Sequence, residues 1–92
     1  MNQYGAQARR HWQTHLPRRY AQIEDPETYF TDLGEQIAQQ IQDKARAIAG
    51  PDPEQETYLD KVGRLNMARL TAESDVLRET LPEPEIDLSP TP

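Results

Sequence analysis

Four arginines in two pairs, Arg9-Arg10 and Arg18-Arg19, flank Trp12 and Tyr20 near the start of the chain. Guanidinium groups interleaved with aromatic rings can stack on bases and contact phosphates. The same residue types are enriched where proteins grip one another. With acidic segments downstream, they can equally be answered inside the fold or across a dimer. His11 and His15, four residues apart, would put both imidazoles on one side of a helix. The zinc-protease form of that spacing needs a glutamate directly after the first histidine as general base, and Trp12 stands there instead. No third ligand of matching geometry follows, so no metal and no other cofactor is expected; surface or interface histidines are the reading. Acid pairs such as Asp32/Glu35 and Glu54/Glu56 lie on faces that a helix would give to water. A hydrolytic pair needs burial to push its two pKa values apart. There is no P-loop, no glycine-rich phosphate cradle and no cysteine, and Ser74 and Ser89 are the only serines. Catalysis is not expected.

Ninety-two residues fit one small domain. The apolar fraction is 35%, and without cysteine neither a disulfide nor a thiolate metal site can staple the fold. A small core without staples favours a partner subunit or a bound target. No apolar run is long enough to span a membrane, and the first residues lack the basic and apolar regions of a signal peptide. A soluble cytoplasmic protein is expected. The net charge of −6 is unevenly spread: +2 over residues 1–25, −2 over 26–50, −3 over 51–81 and −3 over 82–92. Non-specific nucleic-acid affinity comes mainly from phosphate neutralisation, so the acidic balance disfavours a simple DNA binder.

These side chains need helices to position them. Tyr4, Ala8, Trp12 and Leu16 recur every four residues, one stripe of a helix over about 3–16. Pro17 stops it and can open a second, short helix over 17–24. Asp25-Pro26-Glu27 restarts the chain with an N-cap acceptor, a first-turn proline and an acid near the positive end of the dipole. Phe30, Leu33, Ile37, Ile41, Ala45 and Ile48 then carry one stripe to Gly50-Pro51, a helix of about 24 residues. Asp52-Pro53-Glu54-Gln55 repeats the restart and predicts a capping box and a last helix over about 53–80. Its ridge is Tyr58, Val62, Leu65, Arg69, Ala72 and Val76, with Leu59, Asn66, Leu70 and Leu77 to the sides. The architecture is all-α: a long antiparallel helical hairpin with the N-terminal helices packed across it, over residues 1–81. The proline-rich acidic tail, 82–92, is expected to be disordered or extended. Its Ile86-Asp87-Leu88 would suit strand addition to a partner, although a plain solubilising tail is the simpler reading.

Val62-Gly63-Arg64-Leu65-Asn66 breaks two local rules inside the last helix. A mid-helix glycine lowers helix stability by about 1 kcal/mol relative to alanine, and an asparagine beside an apolar stripe needs a hydrogen-bond partner if buried. Gly5, Gly34 and Gly63 read as points of close helix crossing rather than hinges, with Asn66 anchoring the crossing at Gly63.

Taken together, Tyr4-Gly5, Tyr20 after an arginine-rich bend, Leu33 with Glu35-Gln36, and Val62-Gly63-Arg64-Leu65-Asn66 followed by Ala72-Glu73 resemble the transposon-encoded TnpV-like family. The resemblance is spread over most of residues 4–80 and is sharpest in the Val62–Asn66 segment. The proline-rich tail is this chain's own. The resemblance implies a setting on bacterial mobile elements and carries no biochemical activity with it.

The expected function is therefore a non-enzymatic accessory protein of a mobile genetic element, acting by binding another protein or a second copy of itself. The expected partner-binding residues are Arg9, Arg10, Trp12, Arg18, Arg19 and Tyr20, joined from the last helix by Arg64 and Asn66. One alternative is an acidic inhibitor of a host nucleic-acid-targeting defence complex, its carboxylates mimicking phosphates. Another is a weak DNA or RNA binder acting through the N-terminal arginines.

Overall fold

The computed structural model describes residues 1–85. Four helices follow in order: α1 (Gln3–His15), α2 (Pro17–Ala21), α3 (Pro26–Ala49) and α4 (Tyr58–Thr80). The all-α expectation holds, and α3 and α4 form the antiparallel hairpin with α1 packed across it. The strand-addition idea for Ile86 and Leu88 falls outside the described residues.

Each helix start has a local cause. Asn2 accepts the Gly5 N–H into α1, and Asp25 accepts the Thr28 N–H into α3. Proline occupies the first turn of both α2 and α3, where its missing N–H goes unused. Gly50 closes α3 with a positive φ of 62°, and its N–H returns to the Arg46 carbonyl, the use to which glycine is suited. The last helix departs from expectation. It begins at Tyr58, capped by the Thr57 hydroxyl through the Asp60 N–H, and the Asp52/Gln55 capping box does not form. Asp52 instead binds Lys61 and Arg64, both at 2.6 Å. Two cations outcompete one backbone N–H for that carboxylate.

The core lies at one end of the hairpin. Tyr4, Ala8, Trp12 and Leu16 pack on Phe30, Ile37, Ile41, Ala72 and Val76. Where α1 crosses α3, Gly5 and Gly34 touch, and Asn2 Nδ2 donates to the Gly34 carbonyl at 2.9 Å. The crossing reading is right for these two glycines. It is wrong for Gly63, because a Cβ there would meet nothing within 4 Å. Of the ridge expected on α4, only Ala72 and Val76 are buried, joined by Ala68; Tyr58, Val62, Leu65 and Arg69 are exposed. Ala49 at the end of α3 is level with Arg64, so the first turns of α4 overhang and have no helix to pack against. The radius of gyration, 17.6 Å, exceeds the value of about 12 Å for a compact chain of this length.

Candidate interaction surface

The α1–α2 bend gathers most of the expected N-terminal site. Leu16, only 1% exposed, is the hinge-pin of the bend. It swings Tyr20 back so that its hydroxyl oxygen accepts from Arg9 Nε and Gln13 Nε2, each at 3.2 Å. Those donors, Arg9 first, lower the Tyr20 pKa below its ordinary value. Arg9 also pairs with Glu27 at 3.2 Å. The Arg19 guanidinium lies 4.7 Å from the centre of the Trp12 ring. Trp12 is buried, edge-on to Tyr29 and Phe30, with its Nε1 unpartnered. Arg9, Trp12, Arg19 and Tyr20 therefore spend much of their chemistry inside the fold. Arg10, Arg18 and Arg19 are exposed, and of the four arginines here Arg9 alone makes an ion pair among the described residues.

The chain after α4 lies across this bend in extended form. His11 Nε2 donates to the Pro82 carbonyl at 2.7 Å, and the Glu85 N–H donates to the His15 carbonyl at 2.9 Å. The Glu85 carboxylate accepts from the Arg19 and Arg18 N–H groups at 3.0 and 3.5 Å. His11 is thus committed to a carbonyl, although its ring centre is 4.9 Å from that of His15. Among the described residues no group of three or more His, Cys, Asp or Glu side chains gathers to hold a metal ion. No helix among them is long and apolar enough to cross a membrane.

Arg64 and Asn66 do not join the N-terminal cluster. Arg64 clasps the connection between α3 and α4: Nε and Nη2 bind the Glu56 carboxylate at 2.6 and 3.0 Å, Nη2 also binds Asp52, and Nη1 donates to the Ala49 carbonyl. The Glu56 side chain is only 7% exposed, so this is a structural clasp with a half-buried centre. These carboxylates raise the Arg64 pKa, Glu56 most, and Lys61 leads Arg64 in lowering that of Asp52. Asn66 is exposed and anchors no crossing.

Asn66 lines a groove instead. Ile41, Ala45, Ala49 and Leu65 form its floor, and Gln42, Arg46, Asn66 and Arg69 its rim, around about 430 Å³. A second depression of about 360 Å³, bounded by Tyr4 and Ala38, shares Ile41, Gln42 and Arg69 with the first. The two make one channel between α3 and α4 that starts at the Tyr4 ring and ends at Gly50. Tyr4 closes it at the α1 end, its hydroxyl donating to Glu73 Oε1 at 2.6 Å. Burial and that bond raise the Tyr4 pKa above its ordinary value.

The helix pattern of the sequence assigned the ridge to a core and so missed how much apolar surface stays exposed: Ile48, Tyr58, Leu59, Val62, Leu65, Met67 and Leu70 are between 37% and 79% exposed, and of these Leu65 lines the groove. One signal was present. Leu59 and Leu70 sit off the α4 ridge, more apolar surface than a two-helix contact can cover. No protein-family model, curated protein or solved structure matches this chain.

Proposed function

We propose that this chain is a non-enzymatic accessory protein of a mobile genetic element that acts by binding another protein, and that the open half of the α3/α4 groove is the binding site. One observation carries this reading: the channel that α1 fills from Phe30 to Ile41 continues past Tyr4 to Gly50, where α3 and α4 line it and α1 no longer covers it. An apolar floor with a polar rim suits an amphipathic helix laid in the groove. The rim cations select its flanks. Arg46 is 71% exposed and stands 3.9 Å from Asp43, and Arg69 makes a 3.5 Å contact with the Tyr4 hydroxyl. Both of these contacts are long, which leaves the two guanidinium groups able to meet further carboxylates, so the occupant is a helix with acidic residues beside its apolar stripe. The genetic setting rests on the TnpV-like resemblance of Tyr4-Gly5, Val62–Asn66 and Ala72-Glu73.

The test is calorimetric titration of a partner isolated from the host. Ala45→Glu and Leu65→Asp should abolish binding, and Arg10→Glu with Arg18→Glu should leave it intact. The reverse pattern would place the site on the α1–α2 bend. Salt-titrated binding to duplex and single-stranded DNA should show no affinity.

A further inference from the structure

The segment Pro82–Glu85 lies on the α1–α2 bend in the manner of a bound peptide, tied down at its two ends. We infer that the bend is a second docking site, for an extended acidic peptide, and that this segment occupies it in cis as a built-in competitor. The site is separate from the α3/α4 groove and does not depend on what the groove binds.

The bond pattern is the first reason. The Pro82 carbonyl accepts from His11 Nε2 at 2.7 Å, and the Glu85 N–H donates to the His15 carbonyl at 2.9 Å. Between them Glu83 and Pro84 are exposed and make no hydrogen bond among the described residues. The one side chain of the segment that bonds the bend is Glu85, whose carboxylate accepts from the Arg19 and Arg18 N–H groups. Every other bond is to main chain of the segment, so a different chain with an acid three residues after a carbonyl meets the same partners. Main-chain bonds that hold and one side chain that selects are a general mode of peptide recognition. The five residues of α2 are too few to hold an anion alone; His11 and His15 of α1 complete the site.

Composition is the second reason. Proline fixes its own φ, so Pro82 and Pro84 reach the bend with less freedom to lose than a flexible segment has. Charge is the third, and it shows that the cis segment under-uses the site. Arg18 gives Glu85 its backbone N–H, while its exposed guanidinium makes no ion pair among the described residues, and neither does that of Arg10. A peptide with further acids beside the seated one would meet these cations and displace the segment. The bonds to Glu85 are themselves exposed, so the segment opens at little cost. A phosphate backbone can meet the cations, but it has no N–H for the His15 carbonyl, so a peptide fits the bond pattern better.

Two-dimensional amide NMR of the full chain tests this, with an acetylated peptide of residues 81–87 as the probe. The Glu85→Gln chain loses the charged bond of its cis segment and should bind the peptide at least about tenfold more tightly than the native chain. The shifts should fall on the Arg18 and Arg19 N–H groups, and a peptide carrying the same Glu85→Gln change should bind at least about tenfold more weakly. No shift in the Glu85→Gln chain at millimolar peptide, or equal binding of the two peptides, overturns the proposal. So does exchange of the Glu85 N–H in the native chain as slow as that of the core amides around Phe30, since the segment would then be a fixed part of the fold. A single-stranded oligonucleotide that shifts these amides where the peptide does not would overturn it in favour of a phosphate ligand. None of these results touches the groove reading, which stands or falls with Ala45→Glu and Leu65→Asp.

Discussion

Gly5 and Gly34 are in backbone contact: a Cβ on Gly34 would stand 2.7 Å from the Gly5 nitrogen and 2.8 Å from its Cα. No rotamer can relieve a clash with main chain, so α1 would have to lift from α3. Gly34→Ala is expected to destabilise the fold by about 1–3 kcal/mol. Gly63→Ala, with open space around it, is expected to stabilise the fold by about 0.5–1 kcal/mol. Urea denaturation of both variants should give midpoints displaced in opposite directions.

Arg64 holds the α3–α4 connection through three acceptor groups, and Glu56 is left half-sealed without it. Arg64→Met should lower the melting temperature by roughly 4–8 °C. Hydrogen exchange should accelerate first in the opening turn of α4, before the core around Phe30 responds.

Acid should weaken the protein through Asp25 and Asp52. Thr28 lowers the Asp25 pKa through its hydroxyl and its N–H; Lys61, then Arg64, lowers that of Asp52. A carboxyl whose folded pKa lies below its unfolded value contributes fully above that value. The contribution is lost as pH falls through the folded pKa. Both ordinary values are 3.8, so stability should hold above that point and decline below it. Asp25→Asn and Asp52→Asn should each flatten the decline in denaturation curves taken across the acid range.

Two tyrosines should ionise out of step. Tyr20 accepts from Arg9 and Gln13, which favour its phenolate, whereas burial of Tyr4 and its bond to Glu73 oppose ionisation. Ultraviolet titration should lose its earliest phase in Tyr20→Phe and its latest in Tyr4→Phe. The Tyr4 contribution to stability is complete below its ordinary value of 10.0 and is lost as pH rises through the higher folded value.

Trp12 is the sole tryptophan, and the Arg19 guanidinium covers its ring. Arg19→Ala should shift its emission to the red and raise acrylamide quenching, with a stability loss of about 0.5–1 kcal/mol.

The helices with strong local punctuation were legible in the sequence. Asp25-Pro26 and Gly50-Pro51 mark α3 to the residue because caps and prolines act on their own backbone. Asp52 misled for the opposite reason: its partners, Lys61 and Arg64, lie nine and twelve residues away, and a non-local ion pair leaves no periodic trace. Gly5, Gly34 and Gly63 look alike in sequence and differ in what stands opposite them, which only the packing reveals. The arginine–aromatic cluster was legible as a group but not in its role, since Tyr20 and Trp12 answer Arg9 and Arg19 internally. The groove was hidden because the stripe from Phe30 to Ile48 gives no sign of where α1 stops covering it.

The strap formed by Pro82 and Glu85 on α1 and α2 fixes where the chain leaves the described fold. That exit lies beside the α1–α2 bend, at the far end of the hairpin from Gly50 and the overhanging turn of α4. A surface tether attached beyond it would hold the molecule by its basic end and turn the groove toward solution. Immobilised that way, the protein can be used as bait with the groove presented, and mass transport to it unobstructed by the support.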